Sequence, residues 1–152
     1  TLSSSSAASD VYKRQLEMNM RPPEKLLTDL YWSFQATLPG NAQLMEVALR
    51  EYHEDVGCDF NEKALLARLP ISSLNIIFKY DQRGITGEWL KISAVVQIRR
   101  TAAPTPSELL HELHFAVEDR LADQDHHFFE GLWLCDPKGA DGLPVYELCL
   151  GS

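Results

Sequence analysis

Four of the chain's five histidines, His111, His114, His126 and His127, fall within 17 residues, among Glu112, Glu118, Asp119, Asp123 and Asp125. Imidazoles and carboxylates together are the usual ligands of zinc and related divalent ions. On a helix His111 and His114 stand three apart and share a face, so His111, His114, Asp125 and His126 form a candidate metal site. The spacing argues against it. Glu112 lies between the first two in H-E-L-H, whereas metalloprotease helices place their histidines four apart in H-E-x-x-H. No cysteine joins the group. The plainer expectation is a polar run at a helix end: His111 faces solvent, His114 sits at the margin of the apolar stripe, and His126 and His127 open a strand.

Two loops form a second candidate. Asp81-Gln82-Arg83-Gly84-Ile85-Thr86-Gly87 and Asp136-Pro137-Lys138-Gly139-Ala140-Asp141-Gly142 both fit D-x-[RK]-G-x-x-G, offset by 55 residues. Glycines allow backbone N–H groups to face an anion, and Arg83 or Lys138 beside Gly84 or Gly139 would add positive charge. Neither loop matches a phosphate-binding G-x-x-x-x-G-K-[ST] run, and no helix follows either. Turns that need glycine at positive φ are the simpler reading. Nucleophilic catalysis has less support still. There is no G-x-S-x-G elbow, and Cys58 near His53 is expected to be an incidental or buried thiol.

Charge distribution is the more informative feature. The chain has 14 basic and 22 acidic residues, a formal net charge of -8. Within 106–136, Glu108, Glu112, Glu118, Asp119, Asp123, Asp125, Glu130 and Asp136 face one base, Arg120. Most such runs merely solvate a helix face. Concentrated on one helix and its exit loop, they also create a field that steers a basic protein. Glu112, Glu118, Asp119 and Asp123 are the candidate contact residues, with Trp89, beside Lys91, as an exposed aromatic. The first functional expectation is a non-catalytic protein–protein interaction module engaging a basic partner. In size and charge alone it is similar to small acidic bacterial inhibitor, immunity and chaperone proteins. A small metal-dependent or anion-binding enzyme and a structural homodimer are the alternatives. No feature calls for a cofactor.

Negative charge opposes nucleic-acid binding. The longest apolar stretches fall far below the roughly 20 residues that span a bilayer. Cys58, Cys135 and Cys149 show no C-x-x-C spacing, and an odd count suits a reducing cytoplasm better than a disulfide framework. In a hairpin of 128–135 with 144–150, Cys149 would lie opposite about residue 130, roughly 17 Å along the ladder from Cys135.

The elements that must position these residues follow from periodicity. The Ser/Ala-rich start predicts a disordered tail over 1–20. Its string ending Asp-Val-Tyr-Lys-Arg-Gln resembles translated adapter sequence in metagenome reading frames, implying a non-native segment before a start at Met18 or Met20. A single domain is expected over 21–152. Leu27, Leu30, Tyr31, Phe34 and Leu38 keep helical spacing up to Pro39-Gly40. Asn41 caps a second helix to about Val56, with Leu44, Val47, Ala48 and Tyr52 on one stripe, and Gly57 ends it. Asp59 to Glu62 reads as a capping box for a short third helix that Pro70 stops. Residues 74–80 and 89–98 form one strand pair. Thr105-Pro106-Ser107-Glu108 opens a helix with Leu109, Leu113, Ala116, Val117 and Leu121 inward. Residues 127–135 and 144–150 form a second pair, apolar enough to be covered on both faces. The expected fold class is α+β: N-terminal helices, then a four-stranded antiparallel sheet of ββαββ order packed against helices. The repeated loops suggest a pseudo-symmetric pair of hairpins.

Overall fold

The computed structural model describes residues 21–152, and the tail assigned to 1–20 lies outside them. The longest strands form where β-branched and aromatic residues alternate. Strand β3 (Leu74–Arg83) and β4 (Trp89–Ile98) pair antiparallel over ten residues without a break in register. Leu74, Ile76, Phe78 and Tyr80 point into the core from β3, opposite Ile98 and Val96 of β4. Strand β5 (Phe128–Asp136) and β6 (Val145–Gly151) make the second antiparallel pair, with register shifts after Phe129 and after Leu134.

Helix α1 (Ala42–Val56) begins where Asn41 accepts a hydrogen bond from the Leu44 amide at 2.8 Å, and ends at Gly57 with φ 72°. Its buried stripe is Met45, Leu49 and His53, while Leu44 and Val47 are exposed. The expected stripe was rotated because a histidine at i+8 from Met45 is a core residue here, and polar type concealed it. Helix α2 is short (Glu62–Leu66) and starts at Asn61 without a side-chain cap, so the expected Asp59 capping box does not form. Helix α3 (Pro106–Leu121) carries the full reciprocal box between Thr105 and Glu108. Leu109, Leu113, Val117 and Leu121 are buried as expected, together with Leu110 and His114; Ala116 is exposed.

The sheet is mixed and has six strands, not four antiparallel ones. Its order runs from β1 (Lys25–Leu26) through β5, β6 and β3 to β4, with the sixth strand, β2 (Trp32–Ser33), off this path on β5, and Asn75–Ile77 of β3 run parallel to Val145–Glu147 of β6. The first strand of one hairpin thus meets the second strand of the other, which excludes a two-fold relation between the hairpins. The chain segment expected as a first helix instead supplies two short strands, β1 (Lys25–Leu26) and β2 (Trp32–Ser33), both on β5. Between them Leu27 turns the chain with φ 57°. Leu26, Leu30, Trp32 and Phe34 are buried; pairing with β5 outweighs a merely local periodicity. Gly131 permits this approach, for its φ is 114° and a Cβ there would stand 3.2 Å from the Thr28 Cα.

The helices cover one face of the sheet. On the other, Lys79, Ser93, Val95 and Trp133 are exposed and Glu147 and Cys149 half-buried, so the second hairpin is not covered on both faces by the described residues. Cys149 lies opposite the Glu130–Gly131 bulge, and all three cysteines are free. No helix among the described residues is long and apolar enough to cross a membrane.

Candidate functional site

The histidines do not converge on a metal. His111 places its Nε2 2.7 Å from the Pro39 carbonyl. His114 is fully buried, and its Nδ1 accepts a 2.8 Å hydrogen bond from the Trp32 indole, which leaves the proton on Nε2. That Nε2 forms no hydrogen bond, the Glu118 carboxylate standing 3.4 Å off. Burial, with a smaller contribution from His111, pushes the His114 pKa down to about 4, so the ring is neutral. His127 Nδ1 meets the Ser33 hydroxyl at 2.9 Å. His53, which the sequence offered only as a partner for Cys58, accepts from the Tyr31 amide and contacts the Asp59 carbonyl, each at 2.9 Å. Four histidines therefore fasten the segment Tyr31–Pro39 to the rest of the fold. His126 and Asp125 lie exposed and apart from them. Among the described residues no group of three or more His, Cys, Asp or Glu could hold a metal ion.

The glycine loops are turns. Gly84 N–H donates to Glu88 O and Gly87 N–H to Gly84 O; at the matching positions Gly139 N–H donates to Leu143 O and Gly142 N–H to Gly139 O. Gly87 and Gly142 have φ of 88° and 84°, the conformation that explains the repeat. The amides an anion would need are engaged in closing the hairpins. Arg83 lies over the Trp89 ring, 5.7 Å from its centroid, and Lys138 is exposed, its amide donating to the Asp136 carboxylate.

The acidic run divides in two. Near the start of α3, Arg100 donates to Glu108 at 2.6 Å and to Glu112 at 3.3 Å. The hydrogen bond from the Thr105 amide, aided by Arg100 and Arg68, holds the Glu108 carboxyl below its ordinary value. Those charges are partly answered within the molecule. At the other end, Asp119 and Asp123 line an open cleft of about 650 Å³ with Trp89, Arg83, Tyr80 and Arg120. This is the place where the structure unites residues singled out separately in the sequence. Trp89 comes from the start of β4, Arg83 from the end of β3, and the carboxylates from α3 and its exit.

Three residues that sequence reasoning passed over shape this cleft. Arg120 donates to the Tyr80 hydroxyl at 2.6 Å and lies over its ring. The Gln124 side chain both accepts from the Asp81 amide (2.8 Å) and donates to its carbonyl (2.9 Å), pairing with β3 as a strand would. Arg120 was visible only as the lone base in the acidic run; nothing in the sequence marked Tyr80 or Gln124. The arrangement suits cation and aromatic contacts. Elsewhere in the fold both His53 ring nitrogens are engaged, and burial with nearby Glu147 pushes the Cys135 and Cys149 thiols up. Compared with protein-family models, with curated proteins and with solved structures, the chain matches none of them.

Proposed function

We propose that this chain is a non-catalytic interaction module that binds a basic segment of a partner protein in the cleft between α3 and the β3–β4 hairpin. One observation carries the reading: Trp89, 65% exposed, shares that cleft with the exposed carboxylates Asp119 and Asp123. Arg83 lies over one face of the indole, so a partner's cation would take the ring's other face or displace Arg83. A partner's arginine or lysine entering the cleft would meet the two carboxylates, with Trp89, which the β3–β4 register places on the Val95 side of the sheet, at the end of β4 beside it. Steering by the remaining negative charge makes association salt-sensitive.

Titration with nona-arginine at low salt, followed by tryptophan fluorescence and calorimetry, tests the reading. The expected result is binding that weakens as salt rises, and that falls at least about tenfold in the double variant Asp119→Asn, Asp123→Asn. Equal affinity in that variant would show that the peptide meets the general acidity of the surface, and the reading would fail. The open face of the sheet favours a second reading, a homodimer, through exposed Val95 and Trp133. Sedimentation showing monomer alone at micromolar concentration would remove it.

A further inference from the structure

We infer that the free edge of β4 is the docking line on which an extended, alternately basic strand of the partner adds to the sheet. This rests on the interaction reading above and names the form the partner takes. β4 ends the strand order, and among the described residues nothing pairs with its outer edge. A strand edge presents a row of unpaired N–H and C=O groups, and proteins ordinarily blunt it with charges, proline, bulges or short length. β4 has none of these defences in force. It is ten residues long, its register with β3 is unbroken, and it contains no proline. Its single charge, Lys91, is held by Asp81 at 2.9 Å across the ladder. Trp89, Leu90 and Val95 are all substantially exposed along it.

Helix α3 decides what the added strand must be. It lies beside β4 in the opposite sense: Glu112 reaches Arg100 just beyond one end of the strand, while Asp119 and Asp123 share the cleft with Trp89 at the other. Alternate side chains of an added strand would point to the helix side of the sheet. There, those at the Trp89 end would meet Asp119 and Asp123, while Glu112 at the other end is held by Arg100, so lysine or arginine on the helix side is complementary chiefly near Trp89. A second copy of this chain is not. Its β4 would offer Leu90, Ile92 and Ala94 on that side, and would bring its own acidic helix against this one. Backbone pairing would supply affinity and alternate basic side chains the selectivity.

Three peptides of equal charge separate this from simple charge attraction: an eight-residue alternation of lysine and valine, the same residues as a Lys block followed by a Val block, and the alternating peptide N-methylated throughout. The alternating peptide is expected to bind at least about tenfold tighter than either control. Binding should slow hydrogen exchange in β4. If all three bind alike and all lose affinity in Asp119→Asn, Asp123→Asn, the cleft reading stands and strand addition is overturned. If none binds, both are overturned. Protection of the β4 outer edge before any peptide is added would place a second copy or another segment of this chain there, and would also overturn the inference.

Discussion

Acid should destabilise this fold through His114 in a way that can be isolated from every other titrating group. The side chain is fully buried against Phe34 and Trp32, and the indole N–H donates to its Nδ1. Protonation would set a charge in the core and turn that acceptor into a second donor. The native pKa is about 4, against 6.5 for an unperturbed imidazole. As pH falls below about 6.5 the unfolded chain takes the proton first, and the native state resists until about 4. Stability is therefore full above this window and lost through it. Linkage between those two values gives a loss of about 2 kcal/mol near pH 5 and about 3 kcal/mol near pH 4. The Glu118 carboxylate at 3.4 Å favours the imidazolium, so these are upper values, and Glu118→Gln should deepen the loss. Urea unfolding of the wild type and His114→Gln across this range gives the difference, because carboxylates and histidines away from His114, unlike Glu118 and His111, cancel. The reasoning predicts that the wild type loses stability relative to the variant as pH falls. A difference independent of pH would refute the buried, neutral ring.

Other local features give sharp expectations. Thr105→Ala removes one half of the α3 capping box and should cost about 1 kcal/mol in urea unfolding; no change would mean the helix start is held by Pro106 and packing alone. His53→Ala leaves the Tyr31 amide without its acceptor and opens a cavity in the core. It should cost about 3 kcal/mol and admit protease cleavage within Tyr31–Pro39 under native conditions. Intact protein of unchanged stability would show that His53 does not fasten this segment.

What the sequence made legible was local. The α3 start was readable because Thr105, Pro106 and Glu108 act within one turn, the first hairpin because its alternation is a short-range signal, and the second because an apolar run and a glycine turn are. Residues 27–38 misled because the partners of that segment lie far along the chain: Trp32 pairs with Phe129, and the bonds to His53, His114 and His127 span 22 to 94 residues. Long-range pairing also decided that β6 joins β3 in parallel, which no window of sequence contains. In the candidate site, the acidic run and Trp89 were visible as residue types, but not that Arg100 would answer Glu108 and Glu112 while Asp119 and Asp123 line one cleft with Trp89. Ion pairing across elements divides one acidic run into carboxylates held by Arg100 and carboxylates at the cleft. The histidine cluster was the opposite case: conspicuous as ligands, and in part hydrogen-bond fasteners instead, His114 accepting from the buried Trp32 indole and His111 meeting the Pro39 carbonyl.

A basic segment received at one place would lie beside Trp89 and the carboxylates of Asp119 and Asp123. Chemical-shift mapping of isotope-labelled protein with the alternating lysine–valine peptide tests it most directly. The Trp89 indole N–H, the amides of Asp119 and Asp123, and those of β4 should shift together and saturate with one affinity. Small shifts scattered over the acidic surface, with Trp89 unmoved, would contradict it.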